Sequence, residues 1–218
     1  MERIKKYAIK TLAVVFGLCF GIIAGHAQDA TDILAKAETA YKNTNGFTAT
    51  FSTANYNQNN LMESFEGTIH ARGNKFHVQT PEMQVWFNGS TQWVYQDHSE
   101  EVNVNTPSEE ELQLFNPVYL LGNYQQRFSA SYKREVNAAN GKPAYVVELT
   151  PKRTEDITTI ELQIEKSSNL PVQITVNTRN GYKSIIQLNN IKTGLNQPDT
   201  IFTFNKVNFP DVEVIDLR

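Results

Sequence analysis

Hydrophobic and polar residues follow two different periods along this chain. Between Thr31 and Asn43 the apolar residues recur every three or four positions, which predicts an amphipathic helix. Those apolar residues are Ile33, Leu34, Ala37, Ala40 and Tyr41. Asn45-Gly46 follows as a helix-ending pair, so we expect one short helix at the start of the folded part of the chain.

After Gly46 the period changes to two, which is typical of antiparallel strands with one buried face. In the first half the alternating segments start at Phe47 and continue at Phe65–Ala71, Lys75–Gln79, Met83–Phe87, Gln92–Gln96 and Glu101–Asn105. In the second half they are Phe128–Val136, Ala144–Thr150, Thr158–Lys166, Val172–Thr178, Lys183–Lys192 and a short Ile201–Phe204. We therefore expect a mostly β protein of about eleven strands with few helices.

Three Asn-Gly pairs lie between alternating segments, at Asn88-Gly89, Asn140-Gly141 and Asn180-Gly181. Such pairs supply the positive φ angles of tight hairpin turns, so they favour a meander of hairpins. The sequence shows no repeat of fixed period and no low-complexity linker. These features predict a single domain over residues 28–218.

Residues 106–122 interrupt the β pattern. Ser108 is a candidate N-cap and Glu111 stands three residues later, which is the capping-box arrangement. The helix should end near Asn116, because Pro117 follows, and a second short turn is expected from Val118 to Leu121. The segment carries many apolar side chains, so we expect it to cover an apolar surface.

The N-terminus has the pattern of an export signal. Four basic residues precede an apolar stretch from Leu12 to Ala24, and the small residues around Ala27 form a cleavage site, so residues 1–27 are predicted to be a signal peptide. The apolar stretch is shorter than the ~20 residues that a membrane-spanning helix needs. Cys19 is the only cysteine and lacks the small residue expected before a lipid-modified cysteine. We expect an exported protein in a bacterial periplasm, without a lipid anchor of its own.

Charge and residue types exclude several functions. The chain has a formal net charge of −3, which becomes −6 without Glu2 and the four basic residues of the predicted signal peptide. An acidic chain without a basic cluster does not bind nucleic acid well. Beyond residue 27 the histidines are His70, His77 and His98, which lack metal-ligand spacing, and no cysteine nucleophile follows. We therefore predict a protein that is not an enzyme and has no metal or cofactor.

Strand number suggests an enclosed space. A closed barrel of about eight strands is filled by its own side chains, whereas about eleven strands curve around a wider space. One interpretation is a hydrophobic cavity under a helical lid that binds an apolar ligand. The alternative is two sheets packed as a sandwich with the helix at one end, which explains the same alternation.

Several ordered motifs resemble the periplasmic lipoprotein carrier family, the LolA-like proteins. They are Gly46-Phe47-x-Ala49-x-Phe51, Glu66-Gly67-x-Ile69-x-x-Arg72, Asn74-Lys75-Phe76, Asn88-Gly89-x-x-x-Trp93-x-Tyr95, Asn116-Pro117-x-x-Leu120-Leu121, Leu149-Thr150-Pro151-Lys152 and Phe202-Thr203-Phe204. The similarity runs from about residue 30 to residue 216. It implies an incomplete antiparallel barrel of about eleven strands with a short helical lid or plug.

The resemblance also implies a function. Family members carry the acyl chains of lipoproteins from an inner-membrane lipoprotein-releasing complex to an outer-membrane acceptor, so we expect a monomeric periplasmic carrier of acylated lipoproteins or lipids. The alternative is a periplasmic lipid-sensing or regulatory module with the same fold. The arginine that holds the family's lid shut corresponds to Arg72, although Gly73 stands here where the family usually has proline.

Site residues follow from the alternation and from the resemblance together. The cavity is predicted to be lined by Phe47, Phe51, Ile69, Phe76, Val78, Trp93 and Tyr95. The lid is predicted to contribute Leu112, Phe115, Leu120 and Leu121. Arg72 is the predicted lid lock.

Overall fold

The computed structural model of the protein describes residues 29–108, 111–112 and 120–218. The predicted signal peptide at 1–27, with Cys19, lies outside the described residues. Phe115 and the expected helix end at Asn116 also lie outside them. None of the described helices is long and apolar enough to cross a membrane.

Among the described residues, two α-helices flank the first group of strands, and residues 111–112 are also helical. Helix α1 spans Ala30–Lys42, close to its predicted bounds, and Asp29 caps it by accepting a hydrogen bond from the Thr31 backbone N–H at 2.9 Å. Helix α2 spans Leu120–Arg127. The short turn expected at Val118–Leu121 is therefore wrong in extent, because the helix continues to the residue before the next strand.

The described residues form twelve strands, of which the first eleven follow the predicted order closely. They are β1 Phe47–Asn57, β2 Asn60–Arg72, β3 Lys75–Gln79, β4 Met83–Phe87, β5 Gln92–Gln96, β6 Glu101–Asn105, β7 Phe128–Asn137, β8 Pro143–Pro151, β9 Ile157–Glu165, β10 Pro171–Thr178, β11 Tyr182–Thr193 and β12 Glu213–Asp216. Strands β3 to β6 have the predicted bounds. Gly141 and Gly181, with φ angles of 79° and 85°, adopt the positive φ expected of them in their hairpin turns.

All twelve strands belong to one open sheet, in the order β12-β6-β5-β4-β3-β2-β1-β11-β10-β9-β8-β7. Every neighbouring pair is antiparallel except β12 and β6, which are parallel. Strands β7 and β12 form the two edges, so the sheet does not close. This confirms the incomplete barrel and excludes the sandwich alternative, which requires two sheets.

The C-terminal region differs from the sequence prediction. Ile201–Phe204 was expected to be a strand, but residues Asp199–Phe202 form a 3₁₀ helix and Phe202 is fully buried. Strand β12 was not predicted, because its four residues carry too little alternation to be recognised. A second 3₁₀ helix, Lys206–Asn208, lies between them. The whole segment crosses the sheet and ends on the β6 edge.

The sheet has two differently covered faces. On the inner face, a continuous apolar core joins α1, α2 and alternate residues of most strands, including Phe47, Phe76 and Leu162. On the outer face, a smaller cluster forms where the C-terminal segment lies over β4, β5 and β6. The inner face therefore holds the helices and the outer face holds the C-terminal segment.

Candidate ligand-binding site

An apolar cavity of about 240 Å³ opens on the inner face of the sheet. Its lining comes from strands β1, β2, β3, β4 and β11 and from the β3–β4 turn. The lining residues are Phe51, Thr53, Asn55, Phe65, Ile69, Val78, Thr80, Met83, Ser184, Ile186 and Leu188. Most of these side chains are hydrocarbon or aromatic, and none is charged, so the cavity suits an apolar ligand.

Strand register places these residues together. Strand β1 pairs with β11 so that Phe51 lies opposite Leu188, Thr53 opposite Ile186 and Asn55 opposite Ser184. Because side chains of a strand point alternately to the two faces, the cavity-lining residues of β1 and of β11 are every second residue of each strand. The alternation that predicted the strands thus also produces one continuous apolar wall.

Gly67 determines where the Phe51 ring lies in the cavity wall. It lies directly opposite Phe51 across the β1–β2 pair. The Phe51 ring occupies the space over Gly67, because a Cβ there would stand 2.5 Å from Phe51 Cζ. The ring also meets Phe65 edge to face, with 6.4 Å between centroids. A glycine is therefore needed for Phe51 to lie close to the sheet beside the cavity.

Of the seven predicted cavity residues, Phe51, Ile69 and Val78 line this cavity. Phe47 and Phe76 lie on the same face in the continuous core. The remaining lining residues, such as Phe65, Met83 and Ile186, were not singled out from the sequence. Alternation was the available signal for two of them: Phe65 lies four residues before Ile69 on β2, and Ile186 lies two residues from Leu188, which pairs with Phe51.

Trp93 and Tyr95 lie on the opposite face. Trp93 pairs with Trp86, and Tyr95 packs against Phe209 with 5.1 Å between ring centroids, so both belong to the outer cluster under the C-terminal segment. Alternation showed correctly that the two residues share a face. Val94, between them, is the β5 residue that packs against the inner core. The structure therefore separates Trp93 and Tyr95 from the other five residues.

The lid leucines close the other part of the inner face. Leu112, Leu120 and Leu121 are 6%, 3% and 3% exposed and belong to the same core as the cavity wall. Helix α2 contacts α1 and β7. Apolar side chains of this segment thus cover the inner face, as their number in the sequence indicated.

Arg72 has different partners from those predicted. Its guanidinium donates hydrogen bonds to the Gln197 carbonyl and to the Asp199 carboxylate, and it lies 5.6 Å from the centre of the Phe202 ring. Ala71 points to the inner core, so the next residue, Arg72, points to the outer face. Arg72 therefore anchors the C-terminal segment on the face opposite the helices, which corrects its assignment as a lid lock.

Asp199 receives a second cation at the same anchor. Lys75 Nζ lies 2.8 Å from Asp199 Oδ1. The hydrogen bond from Lys75, together with the two positive charges, lowers the pKa of the Asp199 carboxyl below its ordinary value. Arg72, Lys75 and Asp199 form a three-residue ion cluster that holds the C-terminal 3₁₀ helix against strands β2 and β3.

The outer face also carries a column of stacked rings. His77 stacks on His70 at 6.0 Å and on Trp86 at 4.9 Å between centroids. Burial lowers the pKa of His77 to about 4 and also lowers that of His70. Phe204 closes the column from the C-terminal segment by an edge contact with Trp86. The histidines are packing residues, and the described residues contain no cluster of three metal-ligating side chains.

Larger depressions exist on the outer face. One of about 840 Å³ is lined by polar residues such as Thr50, Ser52 and Glu66. Another of about 670 Å³ lies beside the ring column and the C-terminal segment. Both are shallow and open to solvent, whereas the smaller inner cavity is the more enclosed and the more apolar. The inner cavity is therefore the better candidate site for an apolar ligand.

Solved structures resemble this fold. An uncharacterised conserved protein from Thermus thermophilus superimposes with a TM-score of 0.61 at 14% identity, over 87% of this chain and 99% of that one. A LolA superfamily protein from Nitrosomonas europaea gives a TM-score of 0.48 at 16% identity, over 80% and 97% of the two chains. A putative outer membrane lipoprotein-sorting protein domain from Vibrio parahaemolyticus gives 0.47 at 11% identity, over 84% and 99%. The first of these likenesses shows the fold.

Sequence comparison assigns the family. No protein with a curated description matches the chain. A family model described as outer membrane lipoprotein carrier protein LolA matches residues 20–191, which is most of the chain. This confirms the resemblance drawn from the motifs, and the chain belongs to the LolA family of outer membrane lipoprotein carrier proteins.

Proposed function

We propose that the protein is a periplasmic carrier that binds the acyl chains of lipoproteins or lipids and takes them toward the outer membrane. The observation that supports this most directly is the apolar, uncharged inner cavity, in a chain of the lipoprotein carrier family. The predicted signal peptide at 1–27 accounts for export to the periplasm. Residues 28–218 form the carrier domain in this proposal, and no cofactor is required.

Cavity size indicates how loading proceeds. Ligand pockets usually measure about 300–1,000 Å³, and the cavity here holds about 240 Å³. This volume accommodates only part of a long acyl chain. Loading therefore moves the apolar cover formed by α1, α2 and the leucines of residues 112, 120 and 121 away from the sheet, so that the chain enters between them.

Such loading is readily reversible. As the ligand enters, the lid leucines exchange contacts with the sheet for contacts with the acyl chain, so one apolar contact replaces another. Each methylene that leaves water contributes about 0.8 kcal/mol, and longer chains therefore bind more tightly. A carrier must release its ligand, and a lid that closes on its own core supports release by stabilising the empty state.

The partners follow from this role. The ligand is an acylated lipoprotein, received from an inner-membrane lipoprotein-releasing complex and transferred to an outer-membrane acceptor, with the carrier acting as a monomer. The lid-lock role first assigned to Arg72 is not part of the proposal. Trp93 and Tyr95 are likewise left out of the acyl site, since they face the other side of the sheet.

The test places one large side chain in the cavity. Ser184 lines the cavity on β11, and the matched control is Ser64, an exposed residue of β2 opposite Ala54 on the outer side. Ser184→Trp should weaken binding of a fluorescent long-chain fatty acid by about tenfold or more, which is a loss of ~1.4 kcal/mol. Ser64→Trp should bind the probe like the original protein.

Two outcomes would overturn the proposal. One is equal probe affinity of the original protein and a folded Ser184→Trp variant, with folding checked by circular dichroism and thermal unfolding. The other comes from native mass spectrometry of protein isolated from its own periplasm, if the protein is consistently free of acylated species. Co-purified acylated lipoproteins would support the carrier. Ile186→Trp, at the next inner position of β11, serves as a second variant if Ser184→Trp does not fold.

A further inference from the structure

Three of the exposed apolar side chains lie together at one end of the sheet. Among the described residues, the large apolar side chains that are exposed are Leu61, Met62, Tyr182, Val207, Val214 and Leu217. Leu61, Met62 and Tyr182, which are 56%, 63% and 47% exposed, lie at the tips of two neighbouring hairpins. We call these three residues the hairpin tip patch. Single exposed apolar residues are ordinary, but a local group of them indicates a contact surface.

The two hairpins stand side by side. Strand β1 runs between β2 and β11, so Asn57 pairs with Tyr182 on one side and Tyr56 pairs with Leu61 on the other. The Gln58 backbone N–H donates a hydrogen bond to the Gly181 carbonyl at 3.2 Å, which joins the two turns directly. Since neighbouring strands are about 4.8 Å apart, the patch spans only ~10 Å.

The patch borders the proposed acyl cavity. Ser184 lines the cavity, and Tyr182 lies two residues nearer the tip on the same face of β11. Asn55, on β1, lines the cavity opposite Ser184. Two residues of a strand span about 7 Å, so the patch lies at the rim of the cavity and not on a remote surface.

The two turns carry cations and no acid, although the chain as a whole is acidic; the acids beside them are Glu63 and Asp156, whose carbonyl accepts a hydrogen bond from the Arg179 backbone N–H. Residues 56–62 contain no charged side chain, and residues 178–183 contain Arg179 and Lys183 but no acid. The Lys183 ammonium lies 4.8 Å from the centre of the Tyr56 ring, beside Leu61 on the next strand. The acid next along β2, Glu63, accepts a hydrogen bond from Asn55. Apolar tips next to cations complement a surface that is apolar inside and anionic outside.

We propose that the hairpin tip patch docks the protein on the surface of an anionic lipid bilayer and thereby holds the cavity mouth against the membrane. Leucine, methionine and tyrosine suit the boundary between headgroups and acyl chains, and Arg179 and Lys183 face the anionic headgroups. The hairpin turns keep their free backbone groups in water or headgroups, so docking stays at the interface. This inference rests on the proposed carrier function, because it places the opening of the cavity beside the membrane in which the releasing complex or the acceptor lies.

The experiment measures sedimentation of the purified protein, without acyl ligand, with vesicles of equimolar phosphatidylglycerol and phosphatidylethanolamine. Leu61→Ser/Met62→Ser/Tyr182→Ser should lower the bound fraction at least about fivefold. The matched control is Val207→Ser, which removes a valine that is 82% exposed on the C-terminal segment and should bind like the original protein. Binding should also fall on phosphatidylcholine vesicles and at about 1 M salt, where the Debye length is ~3 Å.

Several results would overturn the inference. They are no sedimentation of the original protein, equal sedimentation of the triple variant, or equal loss with Val207→Ser. A dimer in solution that the triple substitution abolishes would assign the patch to a second copy instead. Arg179→Gln/Lys183→Gln, which leaves the apolar residues in place, should also weaken binding to anionic vesicles and provides a second test if the triple variant does not fold.

Binding of the fatty acid probe separates this inference from the proposed function. The triple variant should bind the probe like the original protein, because none of its three residues lines the cavity. Vesicle binding without probe binding would contradict the carrier function and not the docking surface. Probe binding without vesicle binding would contradict the docking surface alone.

Discussion

Gly67→Ala offers a direct test of how the cavity wall is built. A Cβ at position 67 would lie 2.5 Å from the Gln79 carbonyl oxygen, 2.5 Å from Phe51 Cζ and 2.8 Å from Phe51 Cε1. Real Cβ atoms do not approach heavy atoms so closely, so something must move. The carbonyl belongs to the β3 backbone, next to the Thr68–Gln79 pair, and shifts less easily than the Phe51 ring.

Two opposing terms set the size of the effect. Forcing additional atoms into a packed site costs about 1–3 kcal/mol. Alanine in a strand recovers about 0.5–1 kcal/mol relative to glycine, because glycine loses more backbone freedom on folding. The difference is about 0–2.5 kcal/mol. Because one of the contacts is with the Gln79 backbone carbonyl, we expect Gly67→Ala to lower the free energy of unfolding by about 1–2 kcal/mol, and the melting temperature by roughly 2–8 °C for a domain of this size.

Thermal and urea unfolding, followed by circular dichroism, measure this change. A double-mutant cycle with Phe51→Ala identifies the cause, since the substitution at 67 should cost less once the ring is absent while the clash with the Gln79 carbonyl persists. Displacement of the ring should also change affinity for the fatty acid probe. A Gly67→Ala protein as stable as the original, or an equal cost with and without the Phe51 ring, would refute this account of the wall.

Two further predictions concern the outer face. Arg72→Leu should speed hydrogen–deuterium exchange in residues 197–202, because it removes the anchor of that segment, while Arg134→Leu, which breaks an exposed ion pair, should leave that exchange unchanged; equal exchange in both would contradict the anchor. His77 has a folded-state pKa of about 4, below the ordinary 6.5, so between these pH values the unfolded state binds more protons than the folded state. The contribution of neutral His77 to the free energy of unfolding should therefore be complete above pH 6.5 and be lost as the pH falls toward 4. His77→Phe should reduce this pH dependence in urea unfolding between pH 4 and 8, and an unchanged profile would contradict it.

Local features of the sequence determined most of the strands and helix α1. The period of two, with Asn88-Gly89 between β4 and β5, located β3 to β6 at their observed bounds. The period of about 3.6, followed by Asn45-Gly46, located α1. These features depend on interactions between residues close in the chain, so a sequence contains them directly.

Tertiary structure decided which face of each strand lies under the helices and which lies under the C-terminal segment. Alternation showed that Trp93 shares a face with Tyr95, but both faces of this sheet are covered, one by helices and the other by the C-terminal segment. An apolar stripe along a strand therefore does not show which segment of the chain packs on it. For the same reason, Arg72 could not be assigned its partners, since Gln197 and Asp199 lie more than a hundred residues away in sequence.

The pairing of strands that are distant in the chain was likewise not predictable from the sequence. The parallel contact of β12 with β6 and the neighbouring position of β1 and β11 join segments that are distant in the chain. The cavity exists only because the second of these pairings brings Phe51 opposite Leu188. Local periodicity thus determined the strands and their alternate faces, whereas the closing of distant strands on one another, with the burial it produces, decided where the cavity lies.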